Sequence, residues 1–300
     1  RLAGPWVQLT ERPPLERWGT PKAEPVDFTI FQAQDGRWQL IACVRHTSHP
    51  GKGRLLYRWS SNHLTTPGWR ADGILLESSP ERGNSEGLMQ APHAVWDGGR
   101  WHLFYNSAGA QLLTSTDGLA FAPYRTPEGS HTLFAMGRDV MIFDDRPRSG
   151  RWIAYYTASS PGLNPRTRDH TVAARTAPDL LGPWSAQEID LGTLSEPPAG
   201  YLFVYAESPF VVYRDGWYYR WEQMQVYASR DPLRWAGPPV TCLMPKDPLR
   251  YLAPEIVTAG GRDYIAAYGW RGNNPRGIFL APLEWVARQG DEGGMNGLRP

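Results

Sequence analysis

The sequence predicts an all-β fold, a five-bladed β-propeller spanning residues 1–300, and three observations carry that prediction. A strand-like run closed by a Gly- or Asp-rich turn and re-entered at an aromatic recurs five times. The turns are Asp35-Gly36-Arg37-Trp38, Gly98-Gly99-Arg100-Trp101, Ser149-Gly150-Arg151-Trp152, Arg214-Asp215-Gly216-Trp217 and Gly261-Arg262-Asp263-Tyr264, each a hairpin signature. A second mark follows each hairpin, a polar turn leading to an aromatic, so the pair repeats roughly every 45 to 65 residues. Finally, fourteen Trp, fourteen Tyr, 31 Gly and 28 Pro suit many short strands joined by tight turns.

Taken in order, the second mark is seen at Ser60 to Trp69, at Ser115-Thr116-Asp117-Gly118-Leu119 to Phe121, and at Ala177-Pro178-Asp179-Leu180 to Trp184. It returns at Ser229-Arg230-Asp231-Pro232-Leu233-Arg234-Trp235 and, degraded, at Pro282-Leu283-Glu284-Trp285. Each unit therefore reads as an inner strand, a hairpin, two more strands and a Trp-bearing turn, which is one four-stranded blade. The periodic Trp residues are expected as wedges between blades. The last blade runs out of chain after Leu280 to Val286, so its outer strand is expected from Trp6-Val7-Gln8-Leu9 within the N-terminal segment 1–24. An unclosed ring would leave an exposed strand edge. The Pro-rich stretches near Pro13, Pro197 and Pro238 have the length of loops between blades, and the Gly- and Asp-rich tail 288–300 is expected to be weakly ordered.

Charge and cysteine content narrow the partners. Lys plus Arg, 31, nearly equals Asp plus Glu, 30, so no strong field attracts nucleic acid or an anionic membrane. No apolar run approaches the ~20 residues of a membrane-spanning helix, and the N-terminus lacks the pattern of an uncleaved signal peptide. Cys43 and Cys242 are too few for a disulfide framework and are expected as unpaired thiols.

The innermost strands of a propeller surround a central channel, so polar residues at their starts converge on one mouth. Counting back from the hairpins, those strands begin near Val26-Asp27-Phe28, Ala91-Pro92-His93, Arg138-Asp139-Val140, Ala206-Glu207-Ser208-Pro209 and Ala253-Pro254-Glu255. Every one carries an ionisable group beside an apolar run, where an unsolvated charge costs several kcal/mol. Five such positions at one place point to a site. Asp27, Asp139 and Glu207 are the candidate catalytic carboxylates. Arg45, His46, His93, Tyr105, Arg138, Glu222 and Glu255 are candidate substrate contacts, with Asn106 beside them. His93 reads equally as a satisfied strand-end histidine, a sugar contact or a ligand to a structural cation in the channel. Glu255 reads equally as an ion-pair partner of a nearby Arg. His46 and His49 lack a third ligand, so no catalytic metal and no required cofactor are expected.

These residues resemble the five-bladed propeller glycosidases, the superfamily holding glycoside hydrolase families 43, 62, 32, 68, 117 and 130, over nearly the whole chain. Asp27, Arg138-Asp139 and Glu207-Ser208-Pro209 match, in order and blade, the family's opening Asp, its Arg-Asp-Pro-like motif and its Glu-x-Pro-like motif. Two departures stand out. Pro25-Val26-Asp27-Phe28 replaces the Asn-Asp-Pro-Asn motif of the invertase-like families, and Val140 replaces the Pro of Arg-Asp-Pro. The likeness is greatest to family 43 and to family-32-like propellers. It implies Asp27 as base or nucleophile, Asp139 as the orienting carboxylate and Glu207 as the general acid. With apolar neighbours on both sides and Asp139 nearby, Glu207 is expected to keep its proton, and Asp27 to stay ionised.

The resemblance implies an inverting, exo-acting hydrolase that takes terminal or side-branch sugars from a plant or algal glycan, exported to the periplasm or the cell exterior. A non-catalytic carbohydrate-binding propeller stays open, because fold does not decide function. So does a glycoside phosphorylase, with Arg45, His46, Arg54 and Arg138 as an anion site.

Overall fold

Each of the five hairpins joins the first and second strands of its own antiparallel sheet, and the five sheets form the blades of a propeller. The computed structural model describes residues 1–84, 87–159, 170–192, 206–243, 251–269 and 277–286. The Pro197 connection and the tail from Arg288 lie outside them. Blade 1 comprises Glu24–Gln32, Trp38–Arg45, Leu55–Ser61 and Arg70–Leu76. Blade 2 comprises Gln90–Asp97, Arg100–Ser107 and Gly109–Ser115, whose outer edge pairs with both Ala122–Pro123 and Thr132–Phe134. Blade 3 comprises Arg138–Asp144, Trp152–Ser159, His170–Ala177 and Ile189–Asp190. Blade 4 comprises Pro209–Arg214, Trp217–Glu222, Gln225–Ser229 and Thr241–Cys242.

Blade 5 supplies Tyr251–Ala259, Arg262–Gly269 and Ile278–Leu283, and takes its fourth strand from Val7–Thr10 at the other end of the chain. Val7 pairs with Leu280 and Thr10 with Ile278. This closure satisfies the backbone groups that an edge strand would expose. Leu9, fully buried, carries the closing strand into the core shared with blade 1.

The wedge role expected of the aromatics is visible at the blade interfaces. Phe31 of blade 1 meets Trp101 of blade 2 with ring centroids 4.5 Å apart, and Tyr219 of blade 4 meets Trp285 after blade 5 at 5.0 Å. Trp59, Trp69, Trp152 and Trp221 are buried. Large rings fill the widening gap between twisted sheets with few rotatable bonds to immobilise. Both cysteines are buried and neither is in a disulfide, and among the described residues no helix is long and apolar enough to cross a membrane.

One irregularity recurs in every blade and sets up the site. Asp27, Ala91, Asp139, Ser208 and Ala253 all have positive φ, between 25° and 61°. In four blades the register with the second strand slips at this point, between Val26 and Phe28, Gln90 and His93, Arg138 and Met141, and Leu252 and Glu255. These are β-bulges, and the left-handed residue in each is a short one, Asp, Ala or Ser, for which the strain is smallest. Pro92, Pro209 and Pro254 follow the left-handed residue in three blades. A bulge is where a strand tolerates a residue without an N–H.

Candidate active site

The bulges divide the axis of the propeller into two levels. Residues at and just before the left-handed position line an upper cavity of about 310 Å³: Asp27, Gln90, Arg138, Asp139, Glu207, Ser208 and Leu252, joined by Arg45, Arg54 and Tyr268 from second and third strands. Residues at and just after it line a narrow lower channel of about 40 Å³, including Phe28, His93, Val140, Phe210 and Glu255. Asp27 and Asp139 border both levels. Glu207 does not occupy the position they hold in their blades. It stands one residue earlier, where blade 3 has Arg138, and Ser208 is the residue equivalent to the two aspartates.

Asp139 is held from three sides. Its N–H donates to Asn106 Oδ1 at 3.1 Å, its Oδ2 accepts from Thr157 Oγ1 at 2.9 Å, and Arg138 Nε lies 3.2 Å from the same oxygen. Thr157 Oγ1 also accepts the N–H of Ser208 at 3.1 Å, so one hydroxyl ties the blade 3 aspartate to the strand that carries Glu207. The pattern repeats around the ring, because Gln223 of blade 4 accepts the N–H of Ala253 in blade 5 at 2.8 Å. A polar side chain at the end of one blade's second strand thus satisfies the N–H that the bulge frees in the next. Thr157→Val leaves a buried N–H unpaired and is expected to cost about 1–3 kcal/mol of stability. Urea unfolding measures it, and Thr157→Ser, which keeps the hydroxyl, should recover most of the loss.

Burial favours the protonated form of both aspartates in the cavity. The Asp27 carboxyl is pushed up to about 7, first by burial and then by the charge of Asp139, against the pull of Arg54 and Arg45. Asp139 is also pushed up by burial, with Arg138 opposing. Glu207 lies against the Arg138 guanidinium with its side chain 21% exposed. The Arg138 contact is a charged neighbour where an apolar enclosure of Glu207 was expected, and Val204 and Tyr205, its apolar neighbours on one side in the sequence, lie outside the described residues.

The other expected contacts divide into three groups. Arg45 and Arg138 line the cavity. His93 and Glu255 line the channel beneath it: Nε2 of His93 donates to the carbonyl of Ile142 at 3.1 Å, and its Nδ1 lies 3.6 Å from Glu255 Oε1. Glu255 Oε2 accepts the N–H of Ile30 at 3.3 Å, and burial pushes its carboxyl up against the pull of His93. His46, Tyr105 and Glu222, expected as pocket contacts, are not among the described residues that line the cavity. His46 is an exposed residue near Glu24, and Tyr105 accepts from Asn84 within the core of blades 1 and 2. Glu222 is buried against Arg220, 2.6 Å away. Strand alternation explains Tyr105 and Asn106: neighbours face opposite sides, and Asn106 accepts the N–H that the blade 3 bulge frees at Asp139.

Among the described residues the ionisable groups that line the channel are Asp27, His93, Asp139 and Glu255, and His93 and Glu255 are engaged with each other and with backbone. Among the described residues no group of three or more His, Cys, Asp or Glu side chains is placed to hold a metal ion. Sequence reading missed Gln90, Thr157, Ser208, Leu252 and Tyr268. The one signal available was the recurring short residue before Pro, which marks the bulge in three blades.

No family model and no curated protein sequence matches the chain. Solved structures do. A thermostable family-43 glycoside hydrolase superposes over 92% of this chain and 94% of its own at a TM-score of 0.66 and 17% identity. An endo-arabinase from Bacteroides thetaiotaomicron matches over 92% and 98% at 0.61 and 13%. The catalytic domain of a GH62 α-L-arabinofuranosidase from Coprinopsis cinerea matches over 92% and 96% at 0.60 and 14%. The chain shares the five-bladed propeller of these enzymes.

Proposed function

We propose that this propeller is a glycoside hydrolase acting on terminal or side-branch sugars, and that it works by inversion. The observation that carries the reading is that Asp27, Asp139 and Glu207, from three separate blades, line one cavity at the mouth of the channel. Glycoside hydrolysis needs one carboxyl to protonate the departing oxygen and another to act on the far face of the sugar ring. In this reading Glu207 gives its proton to the glycosidic oxygen. Asp27 takes a proton from the water that attacks the anomeric carbon. Asp139, fixed by Asn106 and Thr157, orients both partners. A cavity of about 310 Å³ is at the small end of ligand sites, which suits removal of one sugar at a time. An enzyme of this kind acts on glycans outside the cell, which supports export.

One observation favours a second assignment within the same chemistry. Asp27 is the carboxyl pushed up to about 7, while Glu207 faces a guanidinium. That arrangement suits Asp27 as the acid and Glu207 as the base.

The test is turnover of aryl glycosides of arabinofuranose, xylose, galactose, fucose and fructose in phosphate-free buffer, with the first-formed anomer followed by NMR. Release of the inverted sugar is the expected result. Turnover that requires phosphate would make the protein a phosphorylase, and binding without turnover would make it a carbohydrate-binding propeller.

A further inference from the structure

The cavity holds three guanidinium groups, and they differ in what neutralises them. Arg45 is tied to Glu24, with Nη2 2.8 Å from Oε1 and both side chains largely buried. Arg138 lies against Asp139 and Glu207. Arg54, at the entry to the third strand of blade 1, has no carboxylate within 4.0 Å among the described residues. Its Nη1 lies 3.9 Å from Cys43 Sγ, and the amide of Gln90 turns its oxygen toward the guanidinium. Both partners are neutral, since burial pushes the Cys43 thiol up to about 12. The arginine is half-buried and positioned from its backbone, whose N–H donates to Gly87 O at 3.2 Å.

Asp27 and Asp139 attract this half-buried guanidinium from beyond ion-pair distance, but its direct contacts are neutral, so part of its N–H fork is left for an anion that bonds to it directly. The planar fork of N–H groups matches a carboxylate in two parallel hydrogen bonds. The carboxylates already in the cavity do not bond to it: Asp139 and Glu207 are in contact with Arg138, and Asp27 acts on Arg54 from beyond ion-pair distance. We infer that Arg54 is a recognition group for an acidic sugar, so that the residue bound in this cavity carries a carboxylate, as in a hexuronic acid. This rests on the hydrolase reading for turnover, but not for binding.

Calorimetric titration of the intact protein with galacturonate and glucuronate, each against its neutral parent, galactose or glucose, tests the inference. The sugar acid is expected to bind at least about tenfold more tightly, the effect of one well-formed charge-assisted contact. Arg54→Gln should collapse that ratio, and Arg54→Lys should restore part of it. The methyl ester of galacturonate, which keeps the shape and loses the charge, should bind the wild type as weakly as galactose. That arm decides the matter even if the Arg54 variants fail to fold. Equal affinity for acid, ester and neutral sugar overturns the inference, as does an unchanged ratio in Arg54→Gln. Inorganic phosphate that displaces galacturonate and is required for turnover would also overturn it, by giving Arg54 to phosphate. Binding of the acid without turnover of any aryl glycuronide keeps this inference and removes the hydrolase. Turnover confined to neutral aryl glycosides keeps the hydrolase and removes this inference.

Discussion

Glu207→Gln is expected to cut turnover of glycosides with poor leaving groups by about 10²–10⁴-fold, the usual contribution of a positioned acid, while largely sparing aryl glycosides whose leaving groups need no proton. Gln keeps the size of the side chain and its place beside Arg138, so the comparison isolates the proton. Steady-state kinetics on a series of aryl leaving groups would show it as a steep dependence on leaving-group acidity in the variant and a shallow one in the wild type. Equal losses across the series would take the acid's role away from Glu207. If Asp27→Asn then produced the selective pattern, the second assignment of roles would replace the first.

Asp27→Asn should lower activity on every leaving group by at least about 10³-fold and, at the same time, make the protein more stable in alkaline solution. The two effects have one origin. Burial and the Asp139 charge raise the carboxyl from its ordinary 3.8 to about 7 in the folded chain. Folding therefore takes up a proton between those values, and stability falls as pH rises from about 4 through 7. At pH 8 the wild type bears the full cost of a buried charge, on the order of a few kcal/mol, and the amide bears none. The melting temperature of Asp27→Asn should exceed that of the wild type by roughly 5 °C at pH 8 and match it near pH 4. A variant no more stable at pH 8 than at pH 4, relative to wild type, would show that Asp27 is not strained by its surroundings. With Asp27 as the base, kcat/KM of the wild type should fall as pH drops below about 7, because the carboxylate is lost there.

The two predictions use groups that were visible in the chain, but the reason for their behaviour was not. Asp27, Arg138-Asp139 and Glu207 could be found because each opens a strand whose hairpin is written in local turn chemistry. Their relative levels could not. A β-bulge adds one residue to one strand, and a shift of one residue turns a side chain to the other face of the sheet. Glu207 and Asp139 looked equivalent along the sequence, yet they stand one position apart in their blades. The slip at Asp139 frees the N–H that Asn106 accepts, while Tyr105, one residue earlier on its strand, faces the other way into the core.

What the sequence determined by itself is the repeat: five hairpins, their aromatic wedges, a closing strand around Trp6-Val7-Gln8-Leu9 and an acidic group at the start of several inner strands. These follow from turn residues and apolar alternation, which act over a few residues at a time. What only the tertiary structure decided is which groups share the cavity and how they are charged. The Thr157 link from Asp139 to Ser208, the displacement of the Asp27 carboxyl by Asp139 and the approach of Gln90 to Arg54 all arise between blades. Burial and Coulomb interactions depend on distance through space, and for residues separated by a blade or more that distance is set only when the ring closes.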